Sequence, residues 1–248
     1  MSDLFHVLYT IISFFIIFSL LFIFNKYIKD SKHKDLVLKI SASLVVIIFY
    51  STLYVDYFST GGASVSASML IPIYPCNLIM WSLLLIAFKK RDNKFFKVLM
   101  EITFYVGTVG GILGEVFNDV YIRNHDFTDW DALSGLLSHS VMTFGCLYLL
   151  VGGYIKISVK NTSSVALGIM FLAIYGGFII GLFSVFKLDP PNSMYLLENP
   201  YPNLPWINAS NIAAFGVLIT FLITFIYEYF ALDIEDRWYY KLKNNKNK

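Results

Sequence analysis

Charge is what this chain of 248 residues has least of: Asp, Glu, Lys and Arg make up only 15% of it. A soluble domain of that length carries nearer a quarter charged residues, so a single water-exposed globule is excluded. Cysteine is also scarce. The two that occur, Cys76 and Cys146, both fall in apolar runs, which rules out a disulfide-stapled fold. Phosphate-cradling GxxxxGK[ST] loops are absent, so any ATP-driven transport would need a separate ATPase. No Asp-Arg-Tyr signature of the large receptor class occurs, and no heptad, low-complexity tract or internal repeat of the inverted-repeat transporters. The basic residues form no groove-like cluster, and no nucleic-acid partner is expected. The first apolar run lacks a basic leader and a small-residue cleavage site, so it reads as a retained span rather than a signal peptide.

What the chain does have is apolar and aromatic residues, 57% and 18% of the total, with a mean hydropathy of +0.64. They are gathered into runs of about 20 residues, the length of helix that crosses a hydrocarbon core of roughly 30 Å. Backbone groups in lipid must be satisfied within the segment, so these runs are helices. The expected fold is therefore all-α, one integral membrane domain (1–248) with seven transmembrane helices. The spans are placed at about 5–25, 36–56, 66–88, 96–117, 134–155, 164–186 and 210–232.

Basic residues alternate from loop to loop. Lys26 to Lys34, then Lys89, Lys90, Arg91, Lys94 and Lys97, then Lys156 and Lys160, and finally Arg237 to Lys248 all fall on one side. The other side holds only Arg123 and Lys187. The positive-inside rule then puts the N-terminus outside and the C-terminus in the cytoplasm, as an odd number of spans requires. The external loops are acidic, a solvated face by the simplest reading. The spacing in DFTDWDA (126–132) does not match a calcium-binding loop, so no metal and no cofactor is expected. The external segment 187–209 carries Pro190, Pro191, Pro200, Pro202 and Pro205 among Tyr195, Leu196, Leu197, Tyr201 and Trp206. It is too broken for a helix and too apolar for a free loop, and is expected to fold back as a lid. The end of the chain, 235–248, reads as a cytoplasmic tail, aromatic and basic at the interface and disordered beyond.

Polar residues inside spans carry the functional question, because each is costly in lipid. In IPIYPCNLIMW (71–81), a helix beginning near residue 66 would carry Cys76 and Asn77 about 15 Å inward, with Pro75 bending it and freeing carbonyls. In LLSHSVMTFGCLYLL (136–150), His139 enters from the same side to a similar depth, with Thr143 and Cys146 on its face. A thiol beside an imidazole is a nucleophile–base pair, so Cys76 and His139 are the catalytic candidates. In YVGTVGGILGEVF (105–117), Gly107, Gly110, Gly111 and Gly114 permit close helix packing, and Glu115 is placed at the external mouth as a candidate substrate-binding residue.

Three of these stretches together resemble a known family. IPIYPCNL is similar to a Leu-Pro-Leu-x-x-Cys-(Asn or Asp) segment, LLSHSVMTFGCLYLL to a Ser-His-Gly helix, and NSMYLLENP (192–200) to an Asn-Tyr-Met-(Phe or Tyr)-Leu stretch followed by proline. This is the YwaF family of bacterial integral membrane proteins, whose animal relative is a transmembrane acyltransferase that remodels ether phospholipids. The chain departs from its pattern at Pro75, Ser140 and Ser193. The resemblance spans roughly residues 36–232. It implies a helical bundle with a lipid-facing site, the nucleophile on Cys76 with Asn77 beside it, the histidine on His139, and Asn192, Met194 and Tyr195 in the last external loop. The leading expectation is a thiol-dependent acyltransferase or hydrolase working on membrane lipid from the outer leaflet. A binding or transport component, and a purely structural role, stand as the alternatives. The Phe-, Ile-, Lys- and Asn-rich composition points to a bacterial plasma membrane.

Overall fold

A computed structural model describes residues 2–61, 71–90, 93–117, 130–199 and 204–245. Residues 66–70 at the expected start of the third span, Arg91, most of the DFTDWDA loop, and Pro200, Tyr201 and Pro202 of the external segment lie outside the described residues. The described secondary structure is helical. Seven apolar helices are α1 (Ser2–Tyr27), α2 (Ser31–Thr60), α3 (Pro75–Phe88), α4 (Lys94–Val116), α5 (Trp130–Val151), α6 (Asn161–Val185) and α7 (Ala209–Ala231). Short polar side chains set several of their starts. Asp30, Asn93 and Asn208 each accept a first-turn amide hydrogen, from His33, Phe96 and Asn211 respectively.

Six of these helices are long and apolar enough to cross a membrane. With that composition and their lipid-suited outer surface, where Phe15, Phe58 and Phe230 are 73%, 80% and 81% exposed, this is a multi-pass integral membrane protein. The third run is the exception. Its helix begins at Pro75 and not near residue 66, and at 14 residues it covers only about 21 Å.

That late start corrects a second expectation. Pro75 does not bend a helix; it opens one, at the first helical position, where its missing amide hydrogen costs nothing and its fixed φ suits the turn. Tyr74 before it is extended (φ −107°, ψ 155°), as the residue preceding a proline prefers. Cys76 and Asn77 are thus first-turn residues.

The chain divides into two compact units, Met1–Tyr154 and Ile155–Lys248. In the first, α5 is the hub, packed against α1, α2 and α4 and more lightly against α3. Of its most apolar stretch 56% is buried, against 11–33% for the other five long helices. Small side chains make this possible: Ala132, Ser134, Ser138, Thr143 and Cys146 are all buried, and a Cβ at Gly145 would strike Leu83 of α3. Hydroxyl pairs fix the α2 contact, with Trp130 Nε1 donating to Ser51 Oγ at 2.8 Å and Thr52 and Ser134 bonded at 2.8 Å.

In the second unit, α6 packs on α7. The chain then closes with a 3-10 turn, Ile234–Asp236, and a last helix, α8 (Trp238–Asn245). The aromatic and basic end of the chain is helical to Asn245. Glu228 of α7 is what anchors it. Its carboxylate is 2% exposed and accepts from Ser158 Oγ (2.9 Å), the Val159 amide (2.8 Å) and the Trp238 amide (2.7 Å).

Candidate active site

Cys76 sits in the first turn of α3, half-buried, and its thiol donates to Asn77 Oδ1 at 3.3 Å. The amides of Asn77 and Leu78 both turn back to the Tyr74 carbonyl. With those two engaged and no amide hydrogen on Pro75, the Cys76 amide is left beside the sulfur at the positive end of the helix dipole. The surroundings of the sulfur are therefore suited to charge that develops during attack on a carbonyl.

The glycines of α4 explain where His139 lies. Gly107, Gly111 and Gly114 recur at four- and three-residue steps, one face of a helix, and that face meets α5. A Cβ at Gly107 would strike the Cys146 sulfur and Ile79, at Gly111 the Thr143 hydroxyl, and at Gly114 the His139 imidazole. Gly110, on another face, meets nothing. The expected close packing thus holds for three of the four glycines, and it is a contact in which histidine, threonine and cysteine side chains lie directly on a helix backbone.

The same contact gives the levels of the two catalytic candidates. Ile79 of α3 and Cys146 of α5 both reach Gly107. Cys76 precedes Ile79 by about 4.5 Å of helix, and His139 precedes Cys146 by about 10.5 Å. The Tyr50–Trp81 and Lys39–Phe88 contacts run α3 against α2, Thr52–Ser134 and Ser41–Gly145 run α2 against α5, and α4 runs against α5, so both steps lead toward the Gly114 end. Cys76 and His139 therefore share one end of the first unit. They are not hydrogen-bonded to each other: the thiol is held by Asn77, and His139 Nδ1 is buried without a partner.

Glu115 follows Gly114 and is fully enclosed. α1 covers it. Ser13 of α1 donates to Glu115 Oε1 at 3.0 Å and lies 2.9 Å from Ser140 Oγ. Tyr9 is bonded to Ser140 Oγ at 2.9 Å, and His6 Nε2 to the Glu115 carbonyl oxygen. Ser140 in turn donates to the Leu136 carbonyl oxygen. The second carboxylate oxygen, Oε2, is buried with no partner. Sequence reasoning did not single out His6, Tyr9 and Ser13, the three α1 residues of this cluster. The signal was present, since His6, Tyr9 and Ser13 stand at three- and four-residue steps and so share a face.

Asn192 and Tyr195 belong to the second unit. The Asn192 amide is spent on its own loop, Oδ1 accepting from the Leu197 and Glu198 amides at 3.1 Å each and Nδ2 donating to the Glu198 carbonyl oxygen at 3.0 Å. This clasp holds a 3-10 turn, Ser193–Tyr195, in which Met194 and Tyr195 take left-handed backbone angles (φ 54° and 58°). Met194 is buried on α6, where Gly176 leaves the room: a Cβ there would strike Met194 and Leu196. The turn at Ser193–Tyr195 thus packs on α6 through Met194 and Leu196.

The TMEM164 family model matches residues 1–229, and the chain belongs to that family. No curated protein and no solved structure matches it.

Proposed function

We propose that this member of the TMEM164 family is a thiol-dependent acyltransferase or hydrolase that works on a membrane phospholipid. The observation that carries the reading is the position of Cys76, half-buried in the first turn of a short helix that a proline opens, with Asn77 on its thiol. In the first half-reaction the thiol proton passes to His139 and the sulfur bonds to the ester carbon. Asn77 and the first-turn amide of Cys76 steady the oxyanion. The carbon–oxygen bond breaks, the leaving lysolipid oxygen takes the proton from His139, and a thioester remains on Cys76. In the second, an alcohol or water receives the acyl group and the thiol is restored.

The reading includes a seven-span arrangement with α3 as the third crossing, the N-terminus outside and the C-terminus in the cytoplasm. It includes a bacterial plasma membrane, as the YwaF-like motifs and the composition favour. Asn192 enters as the clasp of the external loop, a positioning residue that holds the turn carrying Tyr195.

Incubating the protein in vesicles of phospholipid with a labelled acyl chain tests the proposal. A hydroxylamine-sensitive label on Cys76, lost together with lipid turnover in Cys76→Ala and reduced in His139→Ala, is the expected result. Undiminished turnover in Cys76→Ala would end it and leave the binding or transport reading in its place.

A further inference from the structure

We infer that Glu115 and His139 together hold the hydroxyl of the acyl acceptor, an inference that rests on the acyl-transfer reading. Among the described residues, two buried polar atoms have no hydrogen-bond partner here, Glu115 Oε2 and His139 Nδ1. They belong to neighbouring groups on both helices. The imidazole lies on Gly114, the residue before Glu115, and Ser140, the residue after His139, is tied to Glu115 through Ser13.

A buried polar atom without a partner is unfavourable, most of all at membrane depth. One such atom is a local imperfection; a carboxylate oxygen and an imidazole nitrogen together specify what completes them. A carboxylate oxygen accepts hydrogen and an imidazole N–H donates it. A hydroxyl does both, giving its hydrogen to Oε2 and taking one from Nδ1. Bulk acyl chain does neither, and an anion would be repelled by the carboxylate.

The remainder of the cluster looks built to keep that carboxylate still. Ser13 occupies Oε1, Ser140 holds Ser13 and is itself held by Tyr9, and His6 holds the Glu115 backbone. Among the described residues Oε2 has no hydrogen-bond partner. The site also stands at the same end of the first unit as Cys76, where the thioester would form.

The step that follows balances without any further reactant. The hydroxyl proton passes to Glu115 Oε2 as its oxygen bonds to the thioester carbon. The carbon–sulfur bond breaks, and the proton returns to the sulfur of Cys76. A lysolipid alcohol and water share this chemistry, and the products tell them apart: a diacyl lipid from the first, a free fatty acid from the second.

The test uses the full chain in vesicles of acyl-labelled phosphatidylcholine, with lysophosphatidylcholine as acceptor. Glu115→Gln is expected to raise the steady-state fraction of acylated Cys76 while cutting product formation about 100-fold, the scale of a lost general base. Ser13→Ala, which frees Oε1, should act in the same direction with a smaller effect. Equal loss of thioester and product in both variants, or product at the unaltered rate, would overturn the inference. A second arm needs no chemistry: in a Cys76→Ala background, lysophosphatidylcholine binding should weaken about tenfold on Glu115→Gln, a shift of about 1.4 kcal/mol. Unchanged binding there overturns the hydroxyl site. An unacylated Cys76 in the unaltered protein overturns only the acyl-transfer reading beneath it.

Discussion

Among the described residues two glutamates are buried, Glu115 and Glu228, and their surroundings differ in one respect. Glu228, in the second unit, has both oxygens engaged, three donors converging on it from the 155–160 segment and the start of α8. Glu115, in the first unit, has one oxygen engaged and one left alone. A saturated buried carboxylate is a structural joint, because removing it strands each donor. A half-saturated one has been enclosed without being used up by the fold. The same contrast separates the two asparagines considered as substrate contacts. Asn192 has its amide consumed by its own loop, while Asn77 touches the one thiol placed at a helix start.

Four substitutions sharpen or break this comparison. The largest effect is expected at the α4–α5 contact. Gly114→Leu drives a side chain into the His139 ring and should cost ~3 kcal/mol or more through overpacking, read as a lowered unfolding midpoint in mild detergent. A midpoint within error of the unaltered protein would mean that α4 and α5 do not meet at that glycine.

Next come the glutamates themselves, each changed to glutamine. At Glu228 the new amide faces the Trp238 N–H and leaves a buried donor unpaired, a loss of ~2–3 kcal/mol. At Glu115 the glutamine oxygen still accepts from Ser13, so the stability change should stay below ~1 kcal/mol. Equal destabilisation of the two variants, measured under the same denaturing titration, would erase the distinction between joint and site.

The smallest effect has the opposite sign. Lys187 follows the end of α6 in a left-handed conformation (φ 55°), with its amide bonded to Ser184 O and that of Leu188 to Phe183 O, the glycine-favouring helix ending. Lys187→Gly should stabilise α6 by about 0.5–1 kcal/mol. A lowered unfolding midpoint would show that this ending is not adopted.

Much of the fold was legible because it depends on sums over neighbouring residues. A run of 20 apolar residues crosses lipid whatever it packs against, so the six long helices fall within a few residues of the runs. The third run misled because length was counted without its prolines. Ile-Pro-Ile-Tyr-Pro reads as extended chain followed by a helix start, and that local signal outranked hydropathy. The helix of the tail was not legible for a different reason: it is pinned by Glu228, ten residues back from Trp238, and no run of apolar residues announces it.

The candidate site divides along the same line. Cys76, Asn77 and His139 stood out as polar residues in greasy runs, a property each carries alone. That His139 lies on Gly114, and that His6, Tyr9 and Ser13 close over Glu115, depends on which helix is adjacent to which. The sequence by itself determined where this chain enters lipid and which polar groups go in with it, because transfer from water acts on each segment separately. Only the tertiary structure decided which of those groups would be satisfied and which left waiting, because a hydrogen bond between helices needs two partners far apart in the chain, here more than 100 residues for Ser13 and Glu115.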